Sequence, residues 1–130
     1  MQGQAQNSAG WGDIGGFVET AQGSFAMMIA RWHIQARFGH KQKAIELLKK
    51  WDREIGPKAG IAAGSQRIVA GSVGAKEAEI QAEMQIRDLA ELEDIFARIA
   101  GVPEHEPWGA AMEPLVVSGS SYWEVFRLIE

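Results

Sequence analysis

Between residues 25 and 36 apolar and polar positions separate with a period of two. Ala26, Met28, Ala30, Trp32 and Ile34 form one wholly apolar parity, while Met27, Ile29, Arg31, His33 and Gln35 form a second that turns polar halfway along. This predicts a strand with one face on a core and the other in a wetter setting. After Gly39 and His40 the period becomes helical and runs to about Ile55. Ala44, Leu47, Leu48, Trp51 and Ile55 share a stripe, with Lys41, Lys43, Lys49, Lys50 and Arg53 among the other positions, and Gly56-Pro57 is expected to stop the helix. A shorter strand fits residues 65 to 71, followed by a turn at Ser72-Val73-Gly74-Ala75 and a third strand over residues 77 to 86. That third strand has the cleanest alternation, Ile80, Ala82, Met84 and Ile86 against Glu79, Gln81, Glu83 and Gln85. Asp88 and Glu91 have the spacing of a capping box. They open a helix with the stripe Leu89, Leu92, Phe96 and Ile99, ended by Gly101 and Pro103. Residues 102 to 120 read as a connection with room for one short helix at residues 108 to 112. Residues 122 to 129 read as the last strand.

The order strand, helix, strand, strand, helix, strand predicts an α+β, ferredoxin-like domain over residues 25 to 130. Two right-handed split crossovers put both helices on one face of a four-stranded antiparallel sheet. The other sheet face then carries Arg31, His33, Gln35, Glu79, Gln81, Glu83 and Gln85, and two such sheets meeting face to face would cover it. A homodimer is therefore expected. Residues 1 to 24 differ in kind, with six glycines, two acidic residues and no basic one. They read as a leader with no part in the fold, or as an arm docking Trp11 and Phe17 on a neighbouring subunit and supporting a higher oligomer.

Two stretches resemble a known superfamily. Phe38-Gly39-His40-Lys41 before an amphipathic helix is similar to the loop-and-helix start of dimeric α+β barrel proteins. Pro114-Leu115-Val116-Val117-Ser118-Gly119-Ser120-Ser121, running into Tyr122-Trp123-Glu124-Val125-Phe126-Arg127, resembles the approach to the last strand in NIPSNAP-like and antibiotic-biosynthesis-monooxygenase-like members. The resemblance covers residues 25 to 130 and implies the fold. It leaves the activity open, because the superfamily includes cofactor-free oxygenases, polyketide cyclases, haem-handling enzymes and members of unknown function. Haem-handling members carry a histidine ligand on a helix, and the second helix here has none, so no haem or other cofactor is expected.

Composition narrows the classes of function. Thirteen basic against seventeen acidic residues give a net charge of −4, which argues against a general nucleic-acid binder. The longest strongly apolar uncharged stretch, Phe25-Ala26-Met27-Met28-Ile29-Ala30, is far too short for a membrane span of about 20 residues. The first basic residue is Arg31, so a secretory signal is not expected, and a cytoplasmic globular domain is. Residues 40 to 53 hold five basic and two acidic side chains and residues 88 to 98 four acidic and one basic, so the two helices should attract.

His33 sits beside Arg31 on the polar face of the first strand, and the expected strand order makes Glu79, Gln81 and Glu83 its cross-strand neighbours. A histidine beside a carboxylate can serve as a general base, which makes His33 the catalytic candidate. The same five residues also read as a structural polar layer, one connected network of Arg-Glu and His-Gln contacts. Trp32 and Trp51 read as core. Trp108 and Trp123 could line the mouth of a pocket for a flat apolar ligand, or simply pack under a loop. Glu104-His105-Glu106 reads as a solvated cluster, and no metal-ligand spacing exists. Without cysteine or a Gly-x-Ser-x-Gly elbow, Ser118, Ser120 and Ser121 read as a turn. Two functions follow from different classes. One is a homodimeric barrel that holds a small apolar or aromatic ligand or serves an assembly role. The other is a cofactor-independent oxygenase, cyclase or isomerase acting on a small carbonyl or phenolic substrate.

Overall fold

A computed structural model of the chain describes residues 27–129; the proposed leader or arm, with Trp11 and Phe17, lies outside the described residues. Strand β1 spans Met28–Gln35, β2 Arg67–Ala70, β3 Glu79–Ile86 and β4 Tyr122–Arg127. Helix α1 covers Lys41–Lys50, α2 Leu89–Ala100 and α3 His105–Met112. The sheet order is β2-β3-β1-β4 and every pairing is antiparallel, the order expected of a ferredoxin-like domain. Beyond β1 the pairing continues through Ala36 and Val116, with Arg37 N–H donating to Leu115 O and Val117 N–H to Gln35 O.

Two cores lie between the sheet and the helices. In one, Ala30, Met84 and Ile86 pack against Leu92, Ile95 and Val102 from α2 and its exit, and against Trp51 and Ile55. In the other, Ile34 and Ile80 pack against Ala44 and Leu48 of α1 and against Met112 and Leu115. Trp108 touches both. Ile34, Ile80 and Ile86 are fully buried, each contributing about 1.5–3 kcal/mol of burial free energy.

Several elements differ from the expectation. The first helix does not run as one α-helix to Ile55. After Lys50 it widens into a π turn at Trp51–Ile55 and tightens into a 3₁₀ turn at Gly56–Ala59. Gly56-Pro57 therefore opens the 3₁₀ turn, and the stop is Gly60 at φ 85°, a left-handed position that favours glycine. The α2 stripe is turned as well. Leu92 and Ile95 are its buried residues, whereas Leu89 is exposed and Phe96 reaches sideways over β4 to Trp123. Asp88 caps α2 by accepting from Glu91 N–H, while the Glu91 carboxylate accepts from Arg87 N–H, one residue ahead of the position a capping box uses. The short helix begins at His105, earlier than expected. Among the described residues no ion pair joins α1 to α2. Arg98 of α2 instead donates to Ala59 O at 2.7 Å, and Lys58 pairs with Glu104. That pair lowers the Glu104 carboxyl below its usual range, chiefly through the hydrogen bond from Lys58. No helix of the described residues is long and apolar enough to cross a membrane.

The β2–β3 hairpin contains the closest backbone approach to any described glycine. A Cβ on Gly71 would lie 1.7 Å from Lys76 O, so no side chain fits without moving the backbone. Gly109, inside α3, has open space around its absent Cβ. Gly71→Ala is expected to destabilise by about 2–4 kcal/mol and Gly109→Ala to stabilise by about 0.5–1 kcal/mol, read from urea denaturation midpoints. Equal midpoints for the two variants would contradict this hairpin geometry.

Candidate functional site

A cavity of about 380 Å³ lies between the apolar face of the sheet and the helical layer. Its walls are largely aromatic, and several elements contribute. Trp32 comes from β1, Trp123 from β4, Phe96 from α2, Trp108 from α3 and Trp51 from the π turn. Neighbouring rings run in a chain, with centroid separations of 5.1 Å for Phe96–Trp123, 6.3 Å for Trp123–Trp32, 6.5 Å for Trp32–Trp108 and 6.3 Å for Trp108–Trp51. These are the separations of offset and edge-to-face aromatic contacts. Ala82 and Met84 supply the lining from β3.

The indole N–H groups hold the wall in place. Trp32 donates to Ser121 Oγ at 2.7 Å, Trp108 to Leu47 O at 2.7 Å and Trp51 to His105 Nδ1 at 3.2 Å. The Gly/Ser stretch before β4 is thus more than a turn. Ser121 anchors an indole, and Ser120 Oγ accepts from Gln35 N–H while donating to Val117 O. The π turn orients Trp51 against Gly56, where an added Cβ would meet the indole at 3.1 Å. The polar side chains on the lining are His105 and Gln66, both half-buried.

The opposite sheet face holds two groups of polar side chains. Glu83 is buried at 3% exposure, and both its oxygens are occupied. Arg31 Nε and Nη2 reach Oε1 at 2.8 Å, and Arg67 Nη2 reaches Oε2 at 2.9 Å. Two guanidiniums on one carboxylate offset the cost of burying its charge. Arg31 also lies 5.0 Å above the Phe126 ring. In the second group His33, 6% exposed, has a carboxylate at each ring nitrogen. Glu79 Oε2 is 2.9 Å from Nδ1 with hydrogen-bond geometry. Glu124 Oε1 is 2.6 Å from Nε2, but that contact lacks the alignment of a hydrogen bond. The ring stacks on Tyr122 at 4.4 Å and 4°. Gln81 donates to Glu79 at 3.3 Å.

The candidate residues thus divide between two faces. Trp108 and Trp123 line the cavity. Arg31, His33, Glu79, Gln81 and Glu83 share the other face, split between two groups where one connected network was expected, and of the three expected cross-strand neighbours His33 bonds Glu79. Trp32 and Trp51, read as core, also form cavity wall. Arg67, Glu124 and Tyr122 complete the polar layer and were missed, although the alternation of β2 and β4, laid in register on β3 and β1, places them there. His105 was read as solvated. Only its place at the start of α3, against Trp51 and Trp108, reveals it as part of the cavity. Among the described residues no three histidine, aspartate or glutamate side chains converge to hold a metal ion.

No protein-family model matches the chain, and no curated protein matches its sequence. Solved structures do match in fold. A NIPSNAP family protein from Agrobacterium tumefaciens superposes with a TM-score of 0.69 at 12% identity, over 86% of this chain and 94% of that one. An uncharacterized NIPSNAP-like domain protein from Burkholderia xenovorans gives 0.61 at 13% identity, over 80% and 86%. SnoaB, a cofactor-independent oxygenase from Streptomyces nogalater, gives 0.58 at 13% identity, over 80% and 94%. The resemblance read from the sequence therefore holds for the fold.

The polar layer has a convenient reporter, since Tyr122 is the only tyrosine in the chain. Its phenol is raised above the ordinary value of 10.0, first by loss of water around the ring and then by the Glu124 and Glu79 carboxylates. The ring is still half exposed, so water screens part of that effect. Titration of phenolate absorbance should give a midpoint above the ordinary tyrosine value, and Glu124→Gln should move it down. A raised phenol favours the folded state below its unfolded midpoint, and that contribution is lost as pH rises through the folded one. A midpoint below the ordinary value would contradict the stacking against His33 and its carboxylates.

Proposed function

We propose that this protein binds a flat, largely apolar aromatic molecule in the cavity between sheet and helices, and that it works as a homodimer. The observation that carries the first part is the chain of aromatic rings around a partly open cavity. At about 380 Å³ the cavity lies in the size range of small-molecule sites, roughly 300–1,000 Å³. Its few polar groups suit such a guest, because three of the four indole N–H groups are already satisfied by the protein and need no ligand partner. The half-exposed Phe126, Tyr122 and Val69, set around the ion pairs, support a second copy seated on the opposite sheet face.

A second reading is favoured by His105 beside the aromatic wall. On this reading the protein is a cofactor-independent oxygenase, cyclase or isomerase acting on a small carbonyl or phenolic substrate. The fold shared with a cofactor-independent oxygenase supports it only as analogy, because one fold hosts many reactions. The role of His33 follows from its position. Held by Glu79 and stacked on Tyr122 across the sheet from the cavity, it serves the polar layer and not the guest.

Naphthalene, followed by tryptophan fluorescence, tests the cavity. Ala100→Phe, at an exposed lining position, should weaken binding by at least about tenfold, the equivalent of roughly 1.4 kcal/mol. His33→Ala should lower stability by about 1–3 kcal/mol while leaving the naphthalene affinity unchanged. Loss of binding in His33→Ala with full binding in Ala100→Phe would overturn the placement of the site. For the dimer, sedimentation at micromolar concentration should give twice the chain mass, since a face-to-face contact of these sheets should reach the roughly 1,200–2,000 Å² of a stable interface. A species of one chain mass would refute it.

A further inference from the structure

The cavity offers a guest few hydrogen-bonding groups, and one of them has a defined proton. An indole N–H can only donate, so the 3.2 Å contact from Trp51 Nε1 requires an unprotonated Nδ1 on His105. In the neutral ring the proton then sits on Nε2, which makes no hydrogen bond to any described residue. The ring has a set orientation. It stacks on Trp108 at 5.7 Å and 24° and meets Trp51 edge-on at 6.4 Å and 78°. His105 is also the first residue of α3, and the preceding Glu104 is tied to Lys58 at 2.6 Å, which pins the helix start to the 3₁₀ turn.

We infer that His105 selects the ligand by donating from Nε2–H to a carbonyl oxygen on an otherwise apolar aromatic molecule. The inference rests on the ligand-binding reading above and narrows it to aryl ketones and quinones. An Nε2–H donor favours a guest with an acceptor oxygen over the matching hydrocarbon, because a group built to donate is left unpaired by the latter. Trp51 is then a positioning residue. It holds the tautomer and lines the wall without supplying the selective bond. Gln66 can both donate and accept, and so by itself does not separate these guests.

The test uses the full chain and a matched pair of probes, 1-tetralone and tetralin, which differ in one carbonyl. His105→Phe keeps a ring against Trp108 and removes the donor. The ratio of tetralone to tetralin affinity should fall about tenfold in this variant, the loss of one net hydrogen bond. Trp51→Phe keeps the wall aromatic and removes the tautomer constraint, so the ratio should fall by less. A long-range proton–nitrogen correlation spectrum under alkaline conditions should show His105 protonated at Nε2, with the Nδ1–H form gaining population in Trp51→Phe. If both probes bind and the ratio is unchanged in His105→Phe, another group such as Gln66 or Trp123 reads the oxygen. The inference then falls while the cavity reading stands. If neither probe binds the unaltered protein, the cavity reading falls and takes the inference with it. A ring protonated at Nδ1 in the unaltered protein would overturn the tautomer assignment directly.

Discussion

Strand β1 is hydrogen-bonded on both sides, to β3 and to β4, and has no freedom of register. A slip of one residue would carry Arg31 and His33 under the helices, where neither would meet a carboxylate. It would also put Trp32 and Ile34 among the charges. The cost of stranding a buried charge, several kcal/mol, exceeds anything the rest of the sheet could recover by the shift. The apolar parity of β1 therefore faces the helices and the polar parity faces away. Both the aromatic cavity and the ion-pair layer are consequences of that single alternation, one residue apart along the same strand.

The helical layer adds a second constraint, built from anchoring rather than burial alone. Trp51 is brought to the cavity by one widened turn, and π turns of this kind recur where a helix must redirect a side chain. Trp108 is brought there by α3, whose start is held by the Lys58–Glu104 pair and whose indole is fixed to Leu47 O of α1. Trp32 is fixed to Ser121, so the segment before β4 sets a ring on β1. Each of these three indoles is tied to a different segment of the chain. The wall thus links α1, α3, β1 and β4 through polar bonds at the back of apolar surfaces.

The periodic parts of this structure were legible in the sequence. Alternation in β1 and β3 identified both strands and both faces, and the Asp88–Glu91 spacing located the start of α2. Legibility failed where tertiary contact decides. The turn of α2 that buries Ile95 and swings Phe96 outward depends on the position of β4, which no helical stripe encodes. The π turn depends on the close approach of Trp51 and Gly56. Only the pairing pattern shows that Arg67 completes the ion pairing of Glu83 and that Glu124 lies against His33. His105 was hidden for a similar reason. Flanked by Glu104 and Glu106 it has the look of a solvated loop, and only the docking of α3 sets it between two indoles.

The sheet separates two kinds of chemistry by the thickness of one backbone layer. On one side, the Glu83 carboxylate is paired with two guanidiniums and His33 is held by Glu79. On the other, the rings present apolar surface, and the N–H groups of Trp32, Trp51 and Trp108 are turned to protein acceptors. A cavity whose wall is anchored in this way is largely pre-formed. A guest of the kind proposed would give up little to rearrangement of the wall, and its affinity would come mainly from surface removed from water and from ring contacts. In such a setting a polar group has a disproportionate effect on which guest is held, because few others compete with it. On the proposed reading, apolar area would set how tightly flat molecules bind as a class, while the unpaired atoms on the lining would decide among them.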